Sequence, residues 1–142
     1  MIKQIKMVRE FHTVMKSYNQ NYPSIDIPSK IIELRKTLIE EETKEVFDAI
    51  RKKDLLNLLK EYCDLLYVVY GGIVECGLDE LIEEAFQLVQ DSNMSKLNDE
   101  GKPIFREDGK LLKGPNYKAP DLSVLFKRIE ERNMIHGSGD NR

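Results

Sequence analysis

From Tyr62 to Cys76 the sequence is apolar nearly all the way round a helical wheel, with Asp64 and Glu75 as its only charges. A helix of that composition has no natural solvent face and must be covered on most sides. Its longest apolar stretch, Leu65 to Val74, is too short and too interrupted by Gly71-Gly72 to span a bilayer. The chain is therefore expected to build a helix-on-helix core rather than a membrane segment.

The flanking sequence supplies the other helices. Ile5, Val8, Phe11, Val14, Met15 and Tyr18 recur at helical spacing and predict a first helix over residues 3–18. Asn19 to Pro28 reads as a loop. Pro28-Ser29, with Ser29 as candidate N-cap, opens a second helix to about Lys53, and Asp54 can cap the apolar third. Gly77 ends that helix, and Leu78–Gln90 predicts a fourth. Asp108-Gly109 between Lys102–Arg106 and Lys110–Lys113 suggests a short β-hairpin, and Pro120-Asp121 opens a last helix. These elements predict one all-α domain over 1–142, a four- to five-helix bundle. Its parts are a helical core over 1–98, a hairpin and loop over 99–120, a helix over 121–135 and a flexible tail over 136–142.

Composition narrows the partners. A net charge of −3 argues against a broad nucleic-acid surface. Cys63 and Cys76 lack CxxC spacing and histidine neighbours, so they read as reduced, packed thiols. The start MIKQIKMVRE carries scattered charge, unlike a signal peptide, which makes a cytoplasmic location the expectation.

The acids carry the chemistry. On a wheel of about 100° per residue, Ile31, Ile32, Leu34, Leu38, Ile39, Val46, Ala49 and Ile50 fall within an arc of roughly 160°. Glu42 and Glu45 lie inside that arc, as does Arg35, while Glu41 lies at its edge. Glu40 lies opposite, with Glu33, Lys44 and Arg51, and reads as solvated. On the next helix Glu61 and Asp64 are three apart and share a face. Burying unpaired carboxylates costs on the order of several kcal/mol each, and one arginine cannot balance so many. A divalent cation can. Oxygen-only ligands suit Mg²⁺, Mn²⁺ or Ca²⁺. A di-iron site would need Glu-x-x-His, and neither His12 nor His136 sits in such a motif. Mg²⁺ shares its sphere readily with substrate phosphates, which points to phosphoanhydride or phosphoester chemistry.

Leu38-Ile39-Glu40-Glu41-Glu42-Thr43-Lys44-Glu45, followed by Glu61-Tyr62-Cys63-Asp64, resembles the E-E-x-x-E … E-x-x-D signature of the all-α nucleotide pyrophosphohydrolases. Asp64 to Gly71 and Asn93-Met94-Ser95-Lys96 are similar to the short MazG-like branch. Lys113-Gly114-Pro115-Asn116-Tyr117, with Pro120-Asp121-Leu122, resembles the tail of phosphoribosyl-ATP pyrophosphohydrolase-like members. The likeness covers about residues 5–126. It implies a MazG-like bundle and Mg²⁺-dependent cleavage between the α and β phosphates of a nucleoside triphosphate, with Mn²⁺ as a substitute. It also implies Glu42, Glu45, Glu61 and Asp64 as metal ligands and Glu41 as the group that orients or deprotonates water. Asn93 and Lys96 would contact phosphates or sugar, and Arg35 is a further phosphate candidate. Tyr67 is either core wall or a base-stacking surface, and Lys113 either a surface charge or part of a substrate-closing loop. The resemblance further implies an oligomer, a homodimer first and a tetramer second, whose partner helix covers the third helix. Two alternatives stand beside this reading: a phosphoribosyl-ATP pyrophosphohydrolase, and a non-catalytic helical oligomer with a structural cation site. The sequence names neither the base nor the sugar.

Overall fold

The computed structural model describes residues 2–137. Among the described residues the chain is all-α, with five helices: α1 (Ile2–Val14), α2 (Ser29–Lys52), α3 (Leu55–Glu75), α4 (Ile82–Met94) and α5 (Ser123–Gly137). It divides into two compact units, the first ending at Glu80 and the second starting at Leu81. Among the described residues no helix is long and apolar enough to cross a membrane.

In the first unit α3 packs against both α1 and α2. Ile5 and Val8 of α1, Val46 and Ala49 of α2 and Val74 of α3 form its buried apolar centre. Helix α1 is shorter than its periodicity predicts. It stops at Val14, and Lys16 takes a left-handed conformation that lets the Ser17 N–H reach the His12 carbonyl at 2.8 Å. His12 is buried with Nδ1 2.8 Å from the Tyr18 carbonyl oxygen, a contact that fixes the exit of the chain. Arg9 grips Asp79 through two hydrogen bonds of 2.6 Å and donates to the Gln20 carbonyl at 2.8 Å. That pair explains why the fourth helix begins at Ile82 rather than Leu78: Asp79 is committed to Arg9 in the turn before it. Ser29 is the first helical residue of α2 and not its cap. Pro28 occupies the N-cap position, and no side chain bonds to the helix end.

The corner between α2 and α3 is two residues long. Lys53 adopts the left-handed conformation, with its N–H on the Ile50 carbonyl at 3.0 Å and the Asp54 N–H on the Ala49 carbonyl at 3.1 Å. Asp54 then caps α3 as expected, accepting the Asn57 N–H at 3.0 Å. So short a corner folds α3 back along α2 as an αα-hairpin.

The third helix is less covered than its composition demands. Leu55 is 79% exposed, Leu56 83% and Leu59 65%, and Tyr62, Leu66 and Val69 are also exposed. Within the first unit α1 and α2 cover part of the circumference of α3. The same holds for α2, where Ile32, Leu34 and Ile50 stay exposed.

In the second unit α4 leads into a chain of turns and then α5. The predicted hairpin is reduced to one antiparallel bridge, Phe105 with Leu111. The Arg106 N–H to Lys110 carbonyl bond at 2.9 Å and the Leu112 N–H to Ile104 carbonyl bond at 2.8 Å close it. Asp121 accepts the Ser123 N–H at 3.0 Å and starts α5, whose Leu125 is fully buried. The tail expected over 136–142 lies, from residue 138 on, outside the described residues.

Candidate metal centre and its surroundings

The hairpin corner sets the register of the acids. Glu45 stands eight residues before Lys53, and Glu61 seven after Asp54. At 1.5 Å rise per residue both lie about 11–12 Å from the corner. Glu42 and Asp64 stand one turn further out on their respective arms. Antiparallel packing of two straight helices therefore brings the four carboxylates to two adjoining levels. In the structure one carboxylate oxygen from each of Glu42, Glu45 and Glu61 lies within 4.8 Å of the others.

Their environments differ. Glu61 is buried, at 4% exposure, Glu42 is half-buried and Glu45 exposed. Oε2 of Glu42 is enclosed and has no hydrogen-bond partner among the described residues. A buried, unpaired carboxylate oxygen is a costly state that calls for a counter-charge. Burial raises the Glu42 pKa above its ordinary value, and the negative charges of Glu45, Asp64 and Glu61 raise it further against the opposing pull of Lys60.

Asp64 stands beside this trio, joined to it through Lys60. The Lys60 ammonium lies 2.9 Å from Asp64 Oδ2 and 3.0 Å from Glu61 Oε2. Hydrogen bonds to Asp64 and then Glu61 push its pKa upward. Lys60 was not singled out in the sequence, where it reads as one of many surface lysines. Its position one residue before Glu61 and four before Asp64 is the signal that points to it. Its side chain is 61% exposed, so it stands as a detachable cation over the acid pair. Glu41 is exposed, next to Glu42 on α2.

Arg35 faces inward, as the wheel predicts, and its fork is fully engaged. Nε and Nη2 hold Glu75 at 2.9 and 2.6 Å, and Nη1 donates to the Val68 carbonyl at 2.9 Å. The guanidinium lies flat against Gly71, where a Cβ would come within 2.6 Å of it. Gly71 thus admits an arginine side chain rather than a neighbouring helix. This pair ties α2 to α3 on the same side as the acids but further from the corner, Arg35 standing seven residues before Glu42 and Glu75 eleven after Asp64.

Tyr67 stacks edge-on against Phe11, with ring centroids 5.6 Å apart. It lines an apolar groove of about 380 Å³ with Met7 and Val8 of α1 and Cys63, Leu66 and Tyr70 of α3. Asn93, Lys96 and Lys113 belong to the second unit. There the Lys96 ammonium donates to Asn93 Oδ1 at 2.7 Å, and the Lys113 ammonium sits 4.1 Å from the centre of the Tyr117 ring. Tyr117 enters the sequence reading within the Lys113–Tyr117 segment and not as a candidate site residue.

The phosphoribosyl-ATP pyrophosphohydrolase family profile matches residues 8–93, a span that contains all four cluster acids. A crystal structure described as a "putative NTP pyrophosphohydrolase", from Exiguobacterium sp. 255-15, is 26% identical over 91% of this chain and 97% of that one, with a TM-score of 0.46. No curated protein matches the sequence.

Proposed function

The chain belongs to the phosphoribosyl-ATP pyrophosphohydrolase family and is a pyrophosphohydrolase, and from that premise we propose that it cleaves the α–β phosphoanhydride of nucleoside triphosphates to the monophosphate and pyrophosphate with Mg²⁺ as cofactor. The observation that carries this reading is the meeting of Glu42, Glu45 and Glu61 around a buried, unpartnered carboxylate oxygen. An all-oxygen donor set of this kind fits Mg²⁺, with Mn²⁺ as substitute. Glu42, Glu45, Glu61 and Asp64 would hold the ion. When bound it supplies positive charge to the phosphate oxygens and Lewis acidity for the displacement.

The chain's own groups do the rest. Glu42, Glu45 and Glu61 set where the phosphate chain can sit, because three converging acids repel an anionic chain except where a cation would stand between them. Lys60 releases Glu61 and Asp64 and turns to solvent, which its exposure allows. Glu41, exposed beside the cluster, orients the attacking water and takes its proton. Asn93, Lys96 and Lys113 serve the phosphate or sugar end. Arg35 serves indirectly by holding the two helices at a fixed distance through Glu75. Tyr67 offers an aromatic edge for a base.

A homodimer completes this reading. Leu55, Leu59, Tyr62, Leu66 and Val69 are exposed and follow one another at 4-3-4-3 spacing. That is the apolar seam on which two helices pack knobs-into-holes, and its length suits a second copy of α3. Tetramers would use the remaining apolar face of α2.

The family name supports a second substrate, phosphoribosyl-ATP, whose hydrolysis breaks the same bond. The test is a panel of ribo- and deoxynucleoside triphosphates and phosphoribosyl-ATP with Mg²⁺, products resolved by ion exchange. Pyrophosphate and monophosphate are expected. Orthophosphate as the released product, or no turnover of any member, overturns the proposal. Preference for phosphoribosyl-ATP by an order of magnitude in kcat/KM moves it to the second substrate.

A further inference from the structure

Lys60 is the cation that the acid cluster keeps for itself. Among the described residues it alone forms an ion pair with a cluster acid. Arg35, Lys44 and Arg51 of α2 are engaged elsewhere, the first on Glu75 and the other two on Asp48.

Helix geometry does not supply the contacts of Lys60. Side chains one residue apart on a helix point about 100° away from each other, so Lys60 and Glu61 share no face. Lys60 also stands N-terminal to Asp64, the less favourable order for an i, i+4 pair. Its side chain is 61% exposed, with open water to turn to. It lies instead 3.0 Å from Glu61 Oε2 and 2.9 Å from Asp64 Oδ2, drawn there by the surplus of negative charge.

The contact is one-sided. Lys60 pairs with the two acids of α3 and with neither of α2, and Glu42 Oε2 has no partner among the described residues. Glu42 and Glu45 thus stand uncontested, whereas Glu61 and Asp64 are already claimed. A divalent cation that takes Glu61 and Asp64 has to drive off an ammonium that touches both, because like charges on shared carboxylates repel. Turnover asks of Lys60 only that it step aside. What its departure costs is a separate quantity, and it bears on metal affinity.

We propose that Lys60 is a built-in competitor of the metal, which covers Glu61 and Asp64 while the site is empty and thereby weakens metal binding and steadies the metal-free fold. That the competing ligand is a divalent cation rests on the metal reading of the pyrophosphohydrolase, and the competition itself rests on the two contacts of Lys60. Lys60 acts on the reaction through the metal, as a positioning residue. A site built in this way loads at a higher free Mg²⁺ concentration than its four carboxylates alone would need, and it can stand empty without forcing α2 and α3 apart.

The test uses the full chain, stripped with EDTA and dialysed, with Mg²⁺ or Mn²⁺ alone as titrant. Calorimetry follows either ion, and the EPR signal of free Mn²⁺ gives a second measure of binding. K60M keeps the aliphatic stem and removes the charge. It should bind either ion about 5-fold more tightly than wild type, the upper end for a partly exposed ion pair, because one of its partners is buried. K60R keeps a cation over the same acids and should bind as wild type does. In thermal melts K60M should fall below wild type in EDTA and draw level with it in saturating Mg²⁺, since the tighter-binding variant gains more from the ion. A purely structural role would lower both melts alike and leave metal affinity where it was. Unchanged or weaker metal binding by K60M, equal tightening by K60R, or a melt lowered by the same amount with and without Mg²⁺ overturns the competitor. Binding of neither ion by wild type or K60M removes the competitor and the metal reading together. Tighter metal binding by K60M in a protein that turns over no nucleotide leaves the competitor standing and removes the nucleotide reading instead. Normal Mg²⁺-dependent turnover with metal affinity unmoved by K60M removes the competitor and leaves that reading in place.

Discussion

The corner-mounted acids of α2 and α3 and the turn-mounted cations at the end of α4 are opposite in charge and also in how they are built. The acids stand on two long regular helices, and their meeting follows from counting residues away from Lys53-Asp54. The segments that carry the cations touch because a glycine lets two stretches of irregular backbone approach, at Gly114 and Leu97. Each cluster holds charge in excess of its partners. Among the described residues the acid cluster leaves a Glu42 oxygen without a partner despite Lys60, and the cationic one leaves Lys96 and Lys113 without a carboxylate. Helices position groups by period, whereas turns position them by contact. The first arrangement should survive loss of a side chain, and the second should not survive loss of its contact.

The largest effect separates the clusters by role. Glu61→Gln should cut kcat by at least about 100-fold, since loss of a direct metal ligand exceeds the 10- to 100-fold cost of losing a supporting partner. Its urea midpoint should be unchanged or raised, because a buried charge is removed. A variant with wild-type kcat breaks the assignment of the acids.

Next comes the frame behind the acids. Arg35→Met leaves Glu75, whose side chain is 7% exposed, as a buried charge without its partner. It should cost about 3–5 kcal/mol in urea unfolding. A cost below about 1 kcal/mol, the range of surface pairs, would show that the helices hold their spacing without it.

Much of the first region was legible in the sequence. Asp54 as a cap, the inward Glu42 and the Glu61–Asp64 face all follow from helical period and local capping chemistry, which act within a few residues. Arg35 was readable as inward but not as Glu75's partner, because that contact spans 40 residues. Lys60 was hidden by its ordinary composition. The second region was legible as a hairpin and an irregular turn and no further. Nothing in Lys113 to Tyr117 indicates that Gly114 must press on Leu97, and Tyr117 acquires its place only through that contact. The early end of α1 is a local matter, a left-handed Lys16 that returns the Ser17 N–H to the His12 carbonyl, whereas the late start of α4 follows a tertiary bond, that of Asp79 to Arg9, which overrides local period.

Gly114→Ala sharpens the comparison at its weaker member. The Cβ has no room, and the repacking should cost about 1–3 kcal/mol. Pyrophosphate affinity should fall with it while Mg²⁺ affinity stays. Unchanged stability and affinity would mean that the turn is held by its other bonds.

The smallest effect concerns pH. The Glu42 carboxyl titrates above its ordinary 4.5 in the folded chain, through burial and then Glu45, Asp64 and Glu61, with Lys60 opposing. A raised acid pKa gives the fold a contribution that is fully present below the unfolded value and is lost as pH rises through the folded one. Metal-free protein should therefore lose a little stability as pH climbs from 4.5 toward neutrality. Glu42→Gln should abolish that slope, and Mg²⁺ should suppress it. Thermal melts across pH in EDTA measure this, and an identical slope in the variant would assign it to another group.

The two-residue corner at Lys53-Asp54 makes the acid site intolerant of changes in length. Deleting one residue between Glu45 and Lys53 swings Glu42 and Glu45 about 100° around α2, off the side that meets α3. Deleting a full turn restores their direction but slides them some 5 Å toward the corner, out of level with Glu61 and Asp64. Substitutions along those arms can drift widely, while insertions and deletions between the acids and the corner are shut out. The distance of each glutamate from the bend is a ruler that the chain cannot reset at one end alone.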